Sequence, residues 1–386
     1  MNKPSQHHPW FDVVRGLSAL LVCAGHLRAV LMVDFGSIER PALWHQAFYA
    51  LTGLGHQAVM VFFVLSGFFV GGAVLKPGFE ARAYVVARLA RLWLVLLPCL
   101  LITWALDTVT LQLAPSIMAG AHQAQWHSGP QADLYDAGAI TWLGNALFLQ
   151  TVAVPIFGSN SPLWSLAHEF WYYVMFPLLA VGAGWAAHGT GSMVRALALG
   201  AALLLLVGLP HELVQGFAVW LMGVVAWWCT QSAPGWVRFM SQRLMFLTTG
   251  LFVVALAYSK SKAWQAALGL NADLLLGALF ALWCLSLAGP GPALSDWSGR
   301  LAKRLSDLSY SLYLSHFPLL MLLAALFVKA PDRLQPGGAA LLTFAGALAL
   351  LLGLGWLVWW LFERHTAQVR RWAVQAWTGL WKSIRL

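Results

Sequence analysis

The chain of 386 residues is 60% hydrophobic and only 10% charged, with mean hydropathy +0.70 and a formal net charge of +9. A soluble domain is closer to half apolar and a quarter charged, so the composition argues against one and for an all-α, polytopic integral membrane bundle. No basic cluster interleaved with aromatics stands in a soluble segment, which argues against nucleic acid as a partner.

Ten apolar stretches are expected to form transmembrane helices: 11–33, 52–75, 92–110, 163–185, 195–210, 213–229, 244–258, 271–288, 307–328 and 339–362. The stretch 141–157 is apolar but broken by Pro155 and followed by Gly158, so it reads as re-entrant or interfacial. Placing the N-terminus in the cytoplasm puts seventeen of the 23 Lys and Arg on the inner side. Arg28, Arg40, Lys260, Lys262, Lys329 and Arg333 fall outside, and this bias predicts that both termini are cytoplasmic. The membrane domain is expected over 1–365, and a basic tail over 366–386. Spaced Trp372, Trp377 and Trp381 suit that tail to an amphipathic helix on an anionic leaflet. The N-terminal apolar run is too long for a signal peptide and is expected to be a retained first helix.

The first stretch, FDVVRGLSALLVCAGHL, carries Arg15 and His26 in a segment otherwise fit for lipid. Eleven residues of helix return to almost the same face, so the two side chains share one side, about 16 Å apart along the axis. Ionisable groups at membrane depth are costly and usually line a cavity or a site. Arg15 snorkelling to the interface and His26 bonding a carbonyl is the plainer alternative. The second stretch, FFVLSGFFVGG, holds Ser66 and a Gly67/Gly71 pair that suits close helix packing. Ser66 stands in no nucleophile elbow. The loop 76–91 then brings Lys76, Arg82, Arg88 and Arg91 to the inner mouth. These are either ordinary positive-inside residues or a phosphate clamp, since guanidinium pairs bidentately with phosphate oxygens.

The outer loop 111–140 has no Lys or Arg, and its His122, His127, Asp133 and Asp136 read as solvated. In SPLWSLAHEFWYYVMFPLL, Ser165, Glu169 and Tyr172 or Tyr173 fall on one helical face. His168-Glu169 and His211-Glu212 are not followed by the second histidine of HExxH, and no catalytic metal is expected. In LSDLSYSLYLSHFPLL, Ser309, Tyr313 and His316 form a polar stripe, for which interhelical hydrogen bonding is the alternative reading. Cys23, Cys99, Cys229 and Cys284 all lie in apolar segments without a CxxC pair and read as small buried hydrophobes.

Taken together and in this order, these blocks resemble the acyltransferase 3 family of integral membrane acyltransferases. The carriers are Phe11-Asp12 with Arg15, Gly16 and His26, then FFVLSGF at 62–68, YVVARLARLWLVLLP at 84–98, LWSLAHEFWYYVMFPLL at 163–179 and LSYSLYLSHFPLL at 308–320. The resemblance covers about residues 10–365. Ser315 stands where the family commonly has Trp, and the Pro often found after the late Glu is missing after Glu363. No segment resembling the esterase-like domain of some relatives follows, which favours direct acylation of the acceptor.

The resemblance implies an O-acyltransferase that moves an acyl group, often acetyl, from cytoplasmic acyl-CoA to a hydroxyl of a cell-envelope carbohydrate or glycosylated acceptor. It would sit in a plasma membrane, a bacterial inner membrane in the family's usual setting. Acyl-CoA is a co-substrate, and no tightly bound cofactor is expected. In that frame Arg15, Arg88 and Arg91 hold the donor and His26 is the general base, an acyl-histidine intermediate being the variant. Glu169 orients His26 or binds the acceptor, with Ser66, Tyr172, Tyr310 and His316 as further substrate contacts. One passage is expected to link the arginines to His26. A multi-helix transporter or flippase of an envelope precursor is the alternative from another class. A lipid-linked glycosyltransferase is a second enzyme reading.

Overall fold

The computed structural model describes residues 9–132, 134–232, 244–269, 271–287, 294–327 and 333–384. Asp133, Arg238, Arg243, Lys329 and Arg385 lie outside them, as do the side chains of Lys262, Trp377, Trp381 and Lys382. The described residues form helices and turns, and their only β pairings are three isolated bridges. Among the described residues, ten helices of fourteen or more residues precede the tail: α1 (Pro9–Leu31), α2 (Gly55–Leu75), α3 (Ala81–Leu113), α4 (Leu163–Gly182), α5 (Ser192–Gly208), α6 (His211–Ser232), α7 (Met245–Tyr258), α8 (Asn271–Leu287), α9 (Asp296–Phe327) and α10 (Gly338–Leu361). Six segments among the described residues are long and apolar enough to cross a membrane; they contain α1, α2, α3, α6, α9 and α10. The apolar helices Ser192–Gly208, Met245–Tyr258 and Ala272–Leu287 are shorter. A tail helix, α11 (Thr366–Ile384), follows and packs on α3.

Two helices run longer than the apolar pattern suggests. α3 begins at Ala81 rather than 92, so Arg82, Arg88 and Arg91 ride on a helix and not in a loop. α9 begins at Asp296 rather than 307. In both cases the extra turns are too polar to score as membrane-spanning, yet they continue the helical register without a breaker. The stretch 141–157 is not one element. A short helix, Ala139–Ala146, is followed by tight turns in which Phe148 and Thr151 adopt positive φ.

α2 and α6 pack through small residues on both sides. An added Cβ on Gly67 would lie 1.9 Å from the Trp220 carbonyl oxygen, and one on Gly223 would lie 1.9 Å from that of Val64. Only glycine permits this backbone approach. Gly67→Val is therefore expected to destabilise the protein by about 2–3 kcal/mol or more through overpacking. Thermal unfolding in detergent checks this against Gly250→Ala on α7, where nothing lies within 4 Å. An equal midpoint for the two variants would contradict the packing argument.

Three long helices carry an internal proline, Pro98, Pro177 and Pro318, and at two of them the freed carbonyl is answered from another element. Pro177 in α4 cannot donate to the carbonyl of Tyr173, which instead accepts from the Tyr84 hydroxyl of α3 at 3.0 Å. Pro318 in α9 leaves the carbonyl of Leu314, which accepts from Asn160 Nδ2 at 2.9 Å. The turns before α4 are held in the same way. Asp107 of α3 is fully buried and accepts from the Ser159 backbone N–H (2.7 Å) and hydroxyl (2.6 Å). Gly158 (φ +58°) is glycine because a Cβ there would strike this carboxylate. Irregular backbone at membrane depth is thus satisfied by protein groups. Asp107→Ala, which strands the Ser159 donors, is expected to cost about 2–4 kcal/mol. Faster limited proteolysis within 147–162 is the readout.

At the opposite end of α1 from Arg15, Arg333 clamps the entry to α10 onto the first helix. Its guanidinium donates to Asp34 Oδ2 (2.9 Å) and Oδ1 (3.2 Å) and to the carbonyls of Ala29 and Gln125. These bonds hold the Asp34 carboxyl below its ordinary range.

Candidate active site

α1, α2, α3, α4 and α9 enclose a cavity of about 340 Å³. Its polar lining includes Arg15, Ser66, Arg88, Arg91, Glu169 and Tyr173. Ser165, Ser309, Tyr310 and Tyr313 complete the polar set, and Val59, Phe62, Phe63, Leu65, Phe69 and Leu166 supply most of the apolar wall. The three arginines come from two helices. Arg88 and Arg91, one turn apart on α3, meet Arg15 of α1 across the space. The Arg88 guanidinium lies over the rings of Tyr173 (5.5 Å) and Tyr84 (5.8 Å), and its Nε is buried without a hydrogen-bond partner. Among the described residues none of the three forms an ion pair with a carboxylate.

The carboxylate that lines the cavity is already engaged. Glu169 Oε1 accepts from the Ser66 hydroxyl at 2.9 Å and from the Tyr173 hydroxyl; Ser66 Oγ in turn accepts from Trp220 Nε1 at 3.1 Å. These bonds tie α2, α4 and α6 together on one wall. Glu169 thus pairs with Ser66 and Tyr173, not with His26. A second carboxylate, Glu363, stands beyond the cavity lining. It accepts from the Ser311 hydroxyl at 2.6 Å and backbone N–H at 3.1 Å. Neither carboxylate is in direct contact with an arginine, and three arginines against the one carboxylate of the lining give the cavity net positive charge.

The sequence candidates separate into two groups. Arg15, Arg88, Arg91, Ser66, Glu169 and Tyr310 line the cavity, with the Tyr310 hydroxyl donating to the Leu92 carbonyl at 3.1 Å. Tyr172 does not. It is fully buried on the other side of α4 against Phe63, Phe217 and Trp220, donating to the Leu213 carbonyl at 2.9 Å, and Tyr173 faces the cavity in its place. Adjacent helical residues point about 100° apart, and only one of a tyrosine pair can meet a given wall.

His26 and His316 lie outside the cavity lining and find each other. His26 Nδ1 stands 3.0 Å from His316 Nε2, and the ring planes are 6° from parallel. Phe317 packs edge-on to His26 at 5.0 Å. Tyr313 stands between this pair and the cavity. Its ring lies 6.1 Å from that of Phe62 on the cavity side and 6.1 Å from that of His316 on the other, and its hydroxyl is 2.8 Å from Ser165 Oγ. The lining of the cavity thus takes in Arg15 and Tyr313 but not the histidines, and the ring of His316 lies 6.1 Å from that of Tyr313.

Two of these features were absent from the sequence reading. The Ser165–Tyr313 bond joins residues on separate helices, and no local spacing signals it. Asn160, which reaches both Thr103 Oγ1 and the Leu314 carbonyl, sits in a stretch that reads only as a loop; Pro318 was the one available hint that a nearby carbonyl needed a donor.

Neither a comparison with curated proteins nor one with solved structures finds a match. A family model described as Acyltransferase domain matches residues 8–360, nearly the whole chain, and so takes in every cavity residue together with the histidine pair. The chain belongs to the acyltransferase 3 family and is an integral membrane acyltransferase.

Proposed function

We propose that the protein is an O-acyltransferase that takes an acyl group, acetyl in the simplest case, from cytoplasmic acyl-CoA and places it on a hydroxyl of a cell-envelope carbohydrate or glycosylated acceptor. In this reading all ten long helices cross the plasma membrane and both termini are cytoplasmic. The observation that carries it is the set of three guanidinium groups, none matched by a carboxylate, facing one cavity. Three cations against the single carboxylate of the lining leave an excess of positive charge in a low-dielectric space, which calls for an anionic ligand, and the phosphates of CoA supply one. Planar guanidinium suits phosphate oxygens better than ammonium would.

The apolar wall beyond the arginines, from Phe69 to Phe62, suits an extended uncharged pantetheine arm. The thioester end lies toward Tyr313, whose movement admits it to His26. His26 then takes the proton of the acceptor hydroxyl as its oxygen attacks the thioester carbon. The C–S bond breaks as the C–O bond forms. The proton passes from His26 to the departing thiolate, leaving an ester and free CoA. Glu169 acts at one remove, by holding Ser66 and Tyr173 in the cavity wall.

Purified protein supplied with acetyl-CoA and a panel of soluble and lipid-linked glycans tests this reading. The expected result is release of free CoA, with one panel member gaining the mass of one acetyl group. Movement of a glycan across proteoliposomes without consumption of acetyl-CoA would instead favour transport.

A further inference from the structure

We infer that His316 is a positioning residue that sets the tautomer of His26, so that Nε2 of His26 is the atom that accepts the acceptor's proton. The inference rests on the proposed base role of His26 and deepens it.

The hydrogen bonds leave one consistent assignment of protons. His316 Nδ1 lies 3.0 Å from the Leu312 carbonyl and 2.9 Å from that of Tyr313. A carbonyl oxygen only accepts, so Nδ1 of His316 carries the hydrogen. In a neutral imidazole the other nitrogen then has a lone pair, which makes His316 Nε2 an acceptor. The atom facing it, 3.0 Å away, is Nδ1 of His26, which must donate. Nε2 of His26 is thereby left as the unprotonated, basic nitrogen. Nearly parallel ring planes allow this bond to lie in the plane of both rings, and Phe317 packs against the His26 ring.

The backbone is what sets the direction of this chain. Both carbonyls belong to the preceding turn of α9, so the orientation of His316 cannot reverse without losing both bonds. His316 is fully buried, which keeps its Nε2 out of bulk solvent. When His26 accepts a proton at Nε2, its Nδ1–H remains bonded to a neutral acceptor, so the cation is stabilised without a carboxylate. This is the service that a buried carboxylate renders to the histidine of a hydrolytic triad, supplied here by a second imidazole anchored to backbone.

The test begins with the wild-type protein, labelled with 15N-histidine in detergent and held above the histidine titration range. The His26 signals are assigned by their loss in His26→Gln. A protonated Nδ1 and an unprotonated Nε2 are expected for His26. A proton on Nε2 overturns the inference, whatever the variants do. In His316→Phe, which keeps a ring of similar shape without nitrogen, the spectrum should shift toward Nε2–H. With acetyl-CoA and the panel glycan that serves as acceptor, kcat should fall about 100- to 1000-fold with KM for acetyl-CoA little changed, as when a catalytic histidine loses its orienting partner. His316→Gln, whose carboxamide oxygen reaches the position of the lost Nε2, should recover kcat to within about tenfold of wild type. Equal kcat for the Phe and Gln variants overturns the inference while leaving the base role of His26 standing. Full turnover by His26→Ala overturns the base role itself.

Discussion

His26→Ala is expected to lower kcat for acyl transfer by about 10³- to 10⁴-fold, at the upper end of what a single general base contributes. The corresponding barrier increase is about 4–5.5 kcal/mol. The effect should be confined to the chemical step. His26 stands outside the arginine cavity, separated from it by Tyr313, so affinity for acetyl-CoA should stay within a few-fold of wild type. Folding should also survive, because the α1–α9 contact is carried by many other residues, among them Gly16 against Leu305. Single-turnover mixing of enzyme with labelled acetyl-CoA and the unmodified acceptor glycan separates the two quantities. An unchanged rate of ester formation in the alanine variant would remove His26 from the reaction.

The second large effect is expected at the other end of the passage. Arg88→Gln together with Arg91→Gln should raise the Kd for acetyl-CoA by about 10²- to 10⁴-fold, taking roughly 1.5–3 kcal/mol for each charge-assisted contact to phosphate. The rate constant of the bound complex should change little, because neither arginine is near the histidine pair. Two controls give the prediction its direction. The wild-type Kd should weaken with added salt, and the slope should flatten in the double variant as phosphate contacts are removed. CoA lacking its 3′-phosphate should bind wild type more weakly but should lose less further affinity on whichever single substitution removes the partner of that phosphate. Equilibrium binding in detergent or nanodiscs measures both. A double variant with wild-type affinity would mean that the three cations serve helix packing or lipid rather than the donor.

The two predictions draw on information of different kinds. That Arg15 and His26 share a side of α1 follows from eleven residues of helix and required nothing beyond the sequence. The i,i+3 spacing of Arg88 and Arg91 fits a helix, but that one unbroken helix runs from Ala81 did not follow, because the first turns of α3 are too polar to look like a span. The Ser66–Glu169 bond joins residues 103 apart, and that between His26 and His316 joins residues 290 apart. Each partner was visible alone as a polar group in an apolar helix, and neither revealed the other. Tyr172 and Tyr173 were interchangeable as letters; their rotation about the α4 axis separates them, one into a packed core and the other into the cavity.

The sequence by itself determined the class of molecule, the approximate positions of its long apolar helices, its family and the few ionisable side chains that must face protein rather than lipid. These follow from the cost of charge and unpaired backbone in hydrocarbon, which acts on each segment separately. Tertiary structure alone decided that Glu169 answers Ser66 and Tyr173 and that His26 answers His316. It also decided that Tyr313, and not either histidine, lines the cavity. Partnership between helices depends on how far each is rotated and how closely it can approach its neighbour. Those quantities are set by contacts such as Gly67 against the Trp220 carbonyl and Gly355 against Leu312, which join positions distant in the chain.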